Sequence, residues 1–92
     1  MQAIERIRRA IRTEHYRVSA HANEEMDADA LAIEDVENVV LTGRIARRLT
    51  HDPRGIRYDV LGQTVDGREA HAVCRFLPSR TLLVITAWAV EE

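Results

Sequence analysis

The chain reads as an α+β domain, with helices first and a sheet after them. Apolar residues recur at helical spacing through the first 43 positions, and alternate with polar ones over most of the remaining 49. Turn signals divide the second half, chiefly Asp52-Pro53-Arg54-Gly55, Asp66-Gly67 and Pro78-Ser79-Arg80. Two to three N-terminal helices packed on one face of a four-stranded antiparallel sheet satisfy this pattern.

Residues 2–13 predict a helix, because Ile4, Ile7 and Ile11 fall on one stripe with Ala3 and Ala10 beside it. His15 to Val18 is short and predicts an extended link or a short strand. Ser19 is placed as the N-cap of a helix over 20–28, whose apolar side carries Ala22 and Met26. Leu31, Ile33, Val36, Val39 and Val40 mark a third helix ending near Gly43. Glu34 and Asp35 suit the positive end of its dipole, whereas Ala32 is a poor cap.

In the second half, Arg44 to Thr50 predicts a strand with Ile45, Arg47 and Leu49 on one side. Ile56 to Leu61 alternates again, setting Ile56, Tyr58 and Val60 against Arg57, Asp59 and Leu61. Gly62 to Gly67 is expected to be a loop, and Arg68 to Leu77 a long strand. Thr81 to Val90 is nearly all apolar, which suits a strand that is central or covered on both faces.

Ninety-two residues allow one domain, 1–92, helical over 1–43 and a β-meander over 44–92. Apolar residues make up 46% of the chain and charged residues 30%, ordinary for a globular protein. The longest apolar run, Leu82 to Val90, is about half of the roughly 20 residues needed to cross a bilayer. No signal peptide is expected, since arginines interrupt the opening, and a single cysteine, Cys74, makes no internal disulfide. Cys74 is expected to be an inert core thiol. A cytoplasmic protein without a membrane partner follows as the expectation.

The net charge of −2 is unevenly spread. Residues 1–18 hold five Arg against Glu5 and Glu14; residues 19–43 hold seven acids and no basic residue; residues 44–92 hold eight Arg against six acids. All thirteen basic residues are Arg. Base composition of the gene explains that bias, and so does a need for planar forks that grip phosphate.

Three groups of residues could carry chemistry. His21, just inside the helix capped by Ser19, lies near free backbone N–H groups that favour a neutral imidazole and an anion. It is also an ordinary packing or capping histidine, with Glu24 and Glu25 close by in sequence. Arg54, Arg57 and Tyr58 follow a turn and offer a guanidinium clamp with a hydroxyl, or a plain ion pair between Arg57 and Asp59. His71, Val73 and Arg75 lie on one face of a strand beside Thr86 and Trp88 on the next, although the hairpin register decides whether Arg75 joins them. No cysteine pair or H-x-x-x-H spacing supports a metal site, so no cofactor is expected. His21 with Glu25, or His51 with Asp52, would be needed for a metal-dependent hydrolase.

Tyr16 to Ala22 (Y-R-V-S-A-H-A) followed by Glu24-Glu25-Met26 resembles the opening of a small bacterial domain-of-unknown-function family, the four-two-five-eight type. Later blocks agree in order and spacing: Leu31 to Val36, Gly43-Arg44-Ile45, Asp52 to Tyr58, Gly62, Asp66-Gly67-Arg68, Val73 to Phe76 and Ile85-Thr86. The likeness spans residues 16–90. That family is distantly similar to RelE/MqsR-type toxins, compact α+β ribonucleases often encoded beside a zinc-finger antitoxin. The resemblance implies a type II toxin–antitoxin toxin that cuts mRNA without metal by ribose 2′-hydroxyl attack, with RNA or the ribosome as a partner. It implies His21 as base, Arg57 and Arg75 as phosphate ligands, and Tyr58 and Thr86 as positioning groups. Arg47, Arg54, His71 and Trp88 are the expected RNA contacts. This assignment needs His21, Arg57 and Arg75 to meet at one phosphate-sized spot. The competing expectation is a non-catalytic protein-binding module or adaptor, docking a basic partner on the acidic 19–43 segment.

Overall fold

A computed structural model describes residues 1–91. The helices are α1 (Ala3–Arg12), α2 (Ala20–Ala28) and α3 (Ile33–Thr42). The strands are β1 (Tyr16–Val18), β2 (Arg44–Leu49), β3 (Arg57–Gln63), β4 (Glu69–Phe76) and β5 (Leu82–Ala89). The sheet has the order β1-β5-β4-β3-β2. It therefore has five strands and is mixed, not four and antiparallel, because β1 pairs parallel with β5 through Tyr16↔Leu82 and Val18↔Val84. The expected extended link or short strand at His15 to Val18 is thus a strand; three residues carry too little alternation to choose between the two, and the partner lies more than sixty positions away.

Each helix is anchored by a local device. Ser19 Oγ accepts from Ala22 N at 3.0 Å and donates to the Ile85 carbonyl at 2.8 Å, so one hydroxyl caps α2 and fastens it to β5. Ala32 offers no side-chain cap; instead Asp35 reaches back to its N–H at 2.9 Å. The Arg8 fork bonds the carbonyls of Val40 and Gly43 at the end of α3.

The helices share one core. Ile7, Ala22, Val36, Val39 and Val40 are at most 1% exposed and pack against Tyr58, Val60, Ala70, Ala72, Cys74, Leu82, Val84 and Ala87. Leu82 and Val84 are even-numbered, whereas Ala87 is odd. An irregularity in β5 absorbs one residue between Val84 and Thr86, which lets both sets face the helices. Gly62 and Gln63 extend β3 in place of the expected loop. A second irregularity, between Ile45 and Arg47, sends Ile45 to the helix side with Val60 and Arg47 to the opposite side with Asp59. Ile45, Arg47 and Leu49 thus do not share one side, because period-2 alternation breaks at Ala46.

Two weak acids give the fold an alkaline limit. Tyr16 Oη donates to Glu37 Oε2 at 2.8 Å. Burial, reinforced by that carboxylate, pushes the phenol from 10.0 up to about 12. Burial pushes the Cys74 thiol from 9.0 up to about 12. Both neutral forms are favoured by folding, so the stability they contribute is complete below pH 9 and falls as pH rises toward 12. Urea midpoints measured across that range should decline, and Tyr16→Phe should flatten the part of the decline above pH 10. An equal slope in the variant would show that the hydroxyl is not coupled to folding.

Candidate functional site

The sheet face opposite the helices carries the odd-numbered side chains of β3 and β4. Register sets Arg47 opposite Asp59, Asp59 opposite Val73, Val73 opposite Thr86 and His71 opposite Trp88. Asp59 is the centre of this surface. It is completely buried, and each carboxylate oxygen has its own cation-capable partner. Oδ1 lies 2.7 Å from His71 Nδ1, and Oδ2 lies 3.2 Å from Arg47 Nε. The His71 ring stacks on Trp88, with centroids 4.7 Å apart and planes 16° from parallel.

This arrangement determines the imidazole's chemistry. A carboxylate facing Nδ1 selects the tautomer with the proton on Nδ1, which leaves the Nε2 lone pair to accept one. The same carboxylate stabilises the imidazolium once the proton arrives, and the indole fixes the ring plane. Arg47 offsets the second oxygen's charge, so burial of Asp59 is compensated on both sides.

Two expected phosphate ligands lie further along this face. Arg57 and Arg75 occupy neighbouring strands one step beyond the Tyr58↔Cys74 pair, and the Arg75 methylenes lie 3.9–4.0 Å from where a Cβ on Gly55 would stand. The hairpin register therefore sets Arg75 on the same face as Thr86 and Trp88. Arg57 Nε is 3.7 Å from Asp52 Oδ2, outside hydrogen-bond range, and is buried without a hydrogen-bond partner among the described residues. An orphaned donor on the face that also carries Arg75 is a combination that suits an anion.

Other expected residues are placed differently. Tyr58 follows the alternation onto the helix side, is 4% exposed and has Arg48 over its ring at 5.5 Å. Its hydroxyl does not share a surface with Arg57, because adjacent residues of a strand point to opposite faces. His21 belongs to the helical layer, its side chain 67% exposed, with Nε2 3.0 Å from Glu25 Oε1, one helical turn along. It stands across the sheet from Arg57 and Arg75, so the three do not gather at one spot. Arg54 donates through Nε and Nη2 to the two oxygens of Asp52, each at 3.1 Å, a pairing that holds the Asp52 carboxyl down to about 2. The acid nearest Arg57 Nε is Asp52, not Asp59. Among the described residues no three His, Cys, Asp or Glu side chains gather where they could hold a metal ion. No described helix is long and apolar enough to cross a membrane.

Asp59, expected only as an ion-pair partner of Arg57, is the residue at the centre of this cluster. The signal in the sequence was an acid between Tyr58 and Val60 in an apolar strand; the register then sets it on the face that also receives Arg47 and His71.

A model of a family described as a domain of unknown function (DUF4258) matches residues 18–89, most of the chain, and the chain belongs to that family. No curated protein and no solved structure matches it.

Proposed function

We propose that this member of the family is a metal-independent endoribonuclease, a toxin of the RelE/MqsR type, with His71 rather than His21 as its base. The observation that carries the reading is the buried Asp59, with Oδ1 2.7 Å from His71 Nδ1, on the face that also carries Arg75 and the orphaned Arg57 Nε.

His71 Nε2 accepts the proton of a ribose 2′-hydroxyl. The 2′-oxygen bonds to phosphorus, the P–O5′ bond breaks, and the products are a 2′,3′-cyclic phosphate and a 5′-hydroxyl. The 5′-oxygen takes its proton from His71 imidazolium or from water. Arg57 and Arg75 oppose the charge that grows on the phosphoryl oxygens, where a preorganised cation contributes most. Thr86 and Trp88 border the same ground, and Arg47 stays occupied with Asp59.

The binding-module alternative draws on the acidic 19–43 segment, but four of its seven acids have internal partners. Glu25 pairs with His21, Asp29 accepts from Ala89 N, Asp35 from Ala32 N and Val65 N, and Glu37 from Tyr16. That leaves Glu24, Asp27 and Glu34 as a thin docking surface.

Purified protein incubated with labelled RNA in EDTA, with and without ribosomes, should yield ends carrying cyclic phosphate. Expression should arrest growth, and co-expression of a neighbouring zinc-finger antitoxin should restore it. Intact RNA in both settings together with unimpaired growth would refute the reading and favour the adaptor.

A further inference from the structure

At the end of the β4–β5 hairpin, on the helix side of the sheet, α1 and the turn after β4 enclose a cleft of about 590 Å³. Arg6 and Arg9 of α1, His15, Phe76 and Arg80 line it, and among the described residues no carboxylate does. Arg6 lies over the Phe76 ring at 5.1 Å, which holds its guanidinium at the cavity wall. Among the described residues, none of Arg6, Arg9, His15 or Arg80 takes part in an ion pair. Elsewhere on the molecule Arg47, Arg54 and Arg68 each have an acidic partner within 3.2 Å.

Arg80 supplies a second observation. Its φ is +71°, a region that side chains other than glycine, asparagine and aspartate rarely enter, and its N–H closes the turn to the Leu77 carbonyl at 2.8 Å. A glycine would relieve that turn. Arginine there brings a guanidinium to a cavity that already holds two, and the backbone bears the cost.

We infer that this cleft is a second anion site that grips the sugar–phosphate backbone of single-stranded RNA away from the scissile bond. The inference rests on the proposed function for its ligand, and its position supports the connection. Phe76 lines the cleft, and the preceding residue, Arg75, lies on the opposite face of the sheet, the one that carries His71, so an RNA strand passing round the hairpin end meets both faces. Unpaired arginines without acids match phosphates, which accept two parallel N–H bonds each.

The test uses the full chain, a fluorescent single-stranded oligouridine and a uridine dinucleotide. In the double variant Arg9→Ala/Arg80→Ala, oligouridine should bind about tenfold more weakly at low salt, and the salt slope should fall by about 0.7 for each phosphate that is no longer neutralised. Arg9→Lys/Arg80→Lys should restore the slope, which separates charge from folding. Dinucleotide cleavage should be unchanged, since one phosphodiester does not reach the cleft. Unchanged affinity and slope in the alanine variant would overturn the site, as would a result in which the variant loses only the binding of an acidic peptide. If RNA binds through the cleft and nothing is cut, the ribonuclease reading fails and the cleft stands. If long RNA is cut with equal kcat/KM by both forms, the cleft fails and the ribonuclease stands.

Discussion

His71→Ala should lower the rate of RNA cleavage by about 10²–10⁴-fold, the range expected when a positioned base is lost. The effect should fall on kcat, because the ring acts on a proton in flight and is not needed to hold the phosphate. Asp59→Asn should follow in the same direction by a smaller factor. An amide can face Nδ1 but carries no charge to stabilise the imidazolium, and its NH₂ group would oppose either the Nδ1 proton or Arg47. His21→Ala should leave the rate within about twofold, since among the described residues that ring's only ion-pair partner is Glu25, on the helical layer. Single-turnover cleavage of a labelled oligonucleotide measures all three. A silent His71→Ala beside an inactive His21→Ala would return the chemistry to the helical side and void the assignment of His71 as base.

Gly62→Ala should cost about 3 kcal/mol or more, a large share of the roughly 5–15 kcal/mol that holds a small domain folded. A methyl at Gly62 would overlap the Val39 carbonyl oxygen and lie 2.9 Å from the Gly43 Cα, so it meets backbone and no flexible side chain that could yield. The same site receives Val39 and Val40, both at most 1% exposed, so the last turn of α3 would be lifted from β3. Val65→Ala is the matched control, because Val65 is 67% exposed and its loss should change stability by no more than about 0.5 kcal/mol. Urea midpoints followed by far-ultraviolet circular dichroism compare the two. Equal midpoints would mean that α3 does not sit on β3 as described.

Much of this organisation was legible in the order of residues. Ile7 and Ile11, Ala22 and Met26, and Val36 with Val39 and Val40 recur with the helical period, and all of them are buried. Ser19 does cap its helix, and Cys74 is a buried thiol held neutral well above physiological pH. The alternation of Tyr58 and Val60 against Arg57 and Asp59 also matches the two faces of β3. Periodicity and capping act over a few residues, so neighbours in the chain suffice to reveal them.

Only the tertiary structure decided the fifth strand, the two irregularities in β2 and β5, and the composition of the site. Asp59, His71, Trp88 and Arg47 come from four strands, and which of them touch depends on register, where a slip of one residue would send each side chain to the other face. Arg57 could pair with Asp59 along its own strand, yet the loop brings Asp52 to it and leaves Asp59 to His71. Local pattern determines which residues are helical, extended or inward-facing. Partnership across the sheet is a competition between distant groups, and only the folded chain brings the competitors together.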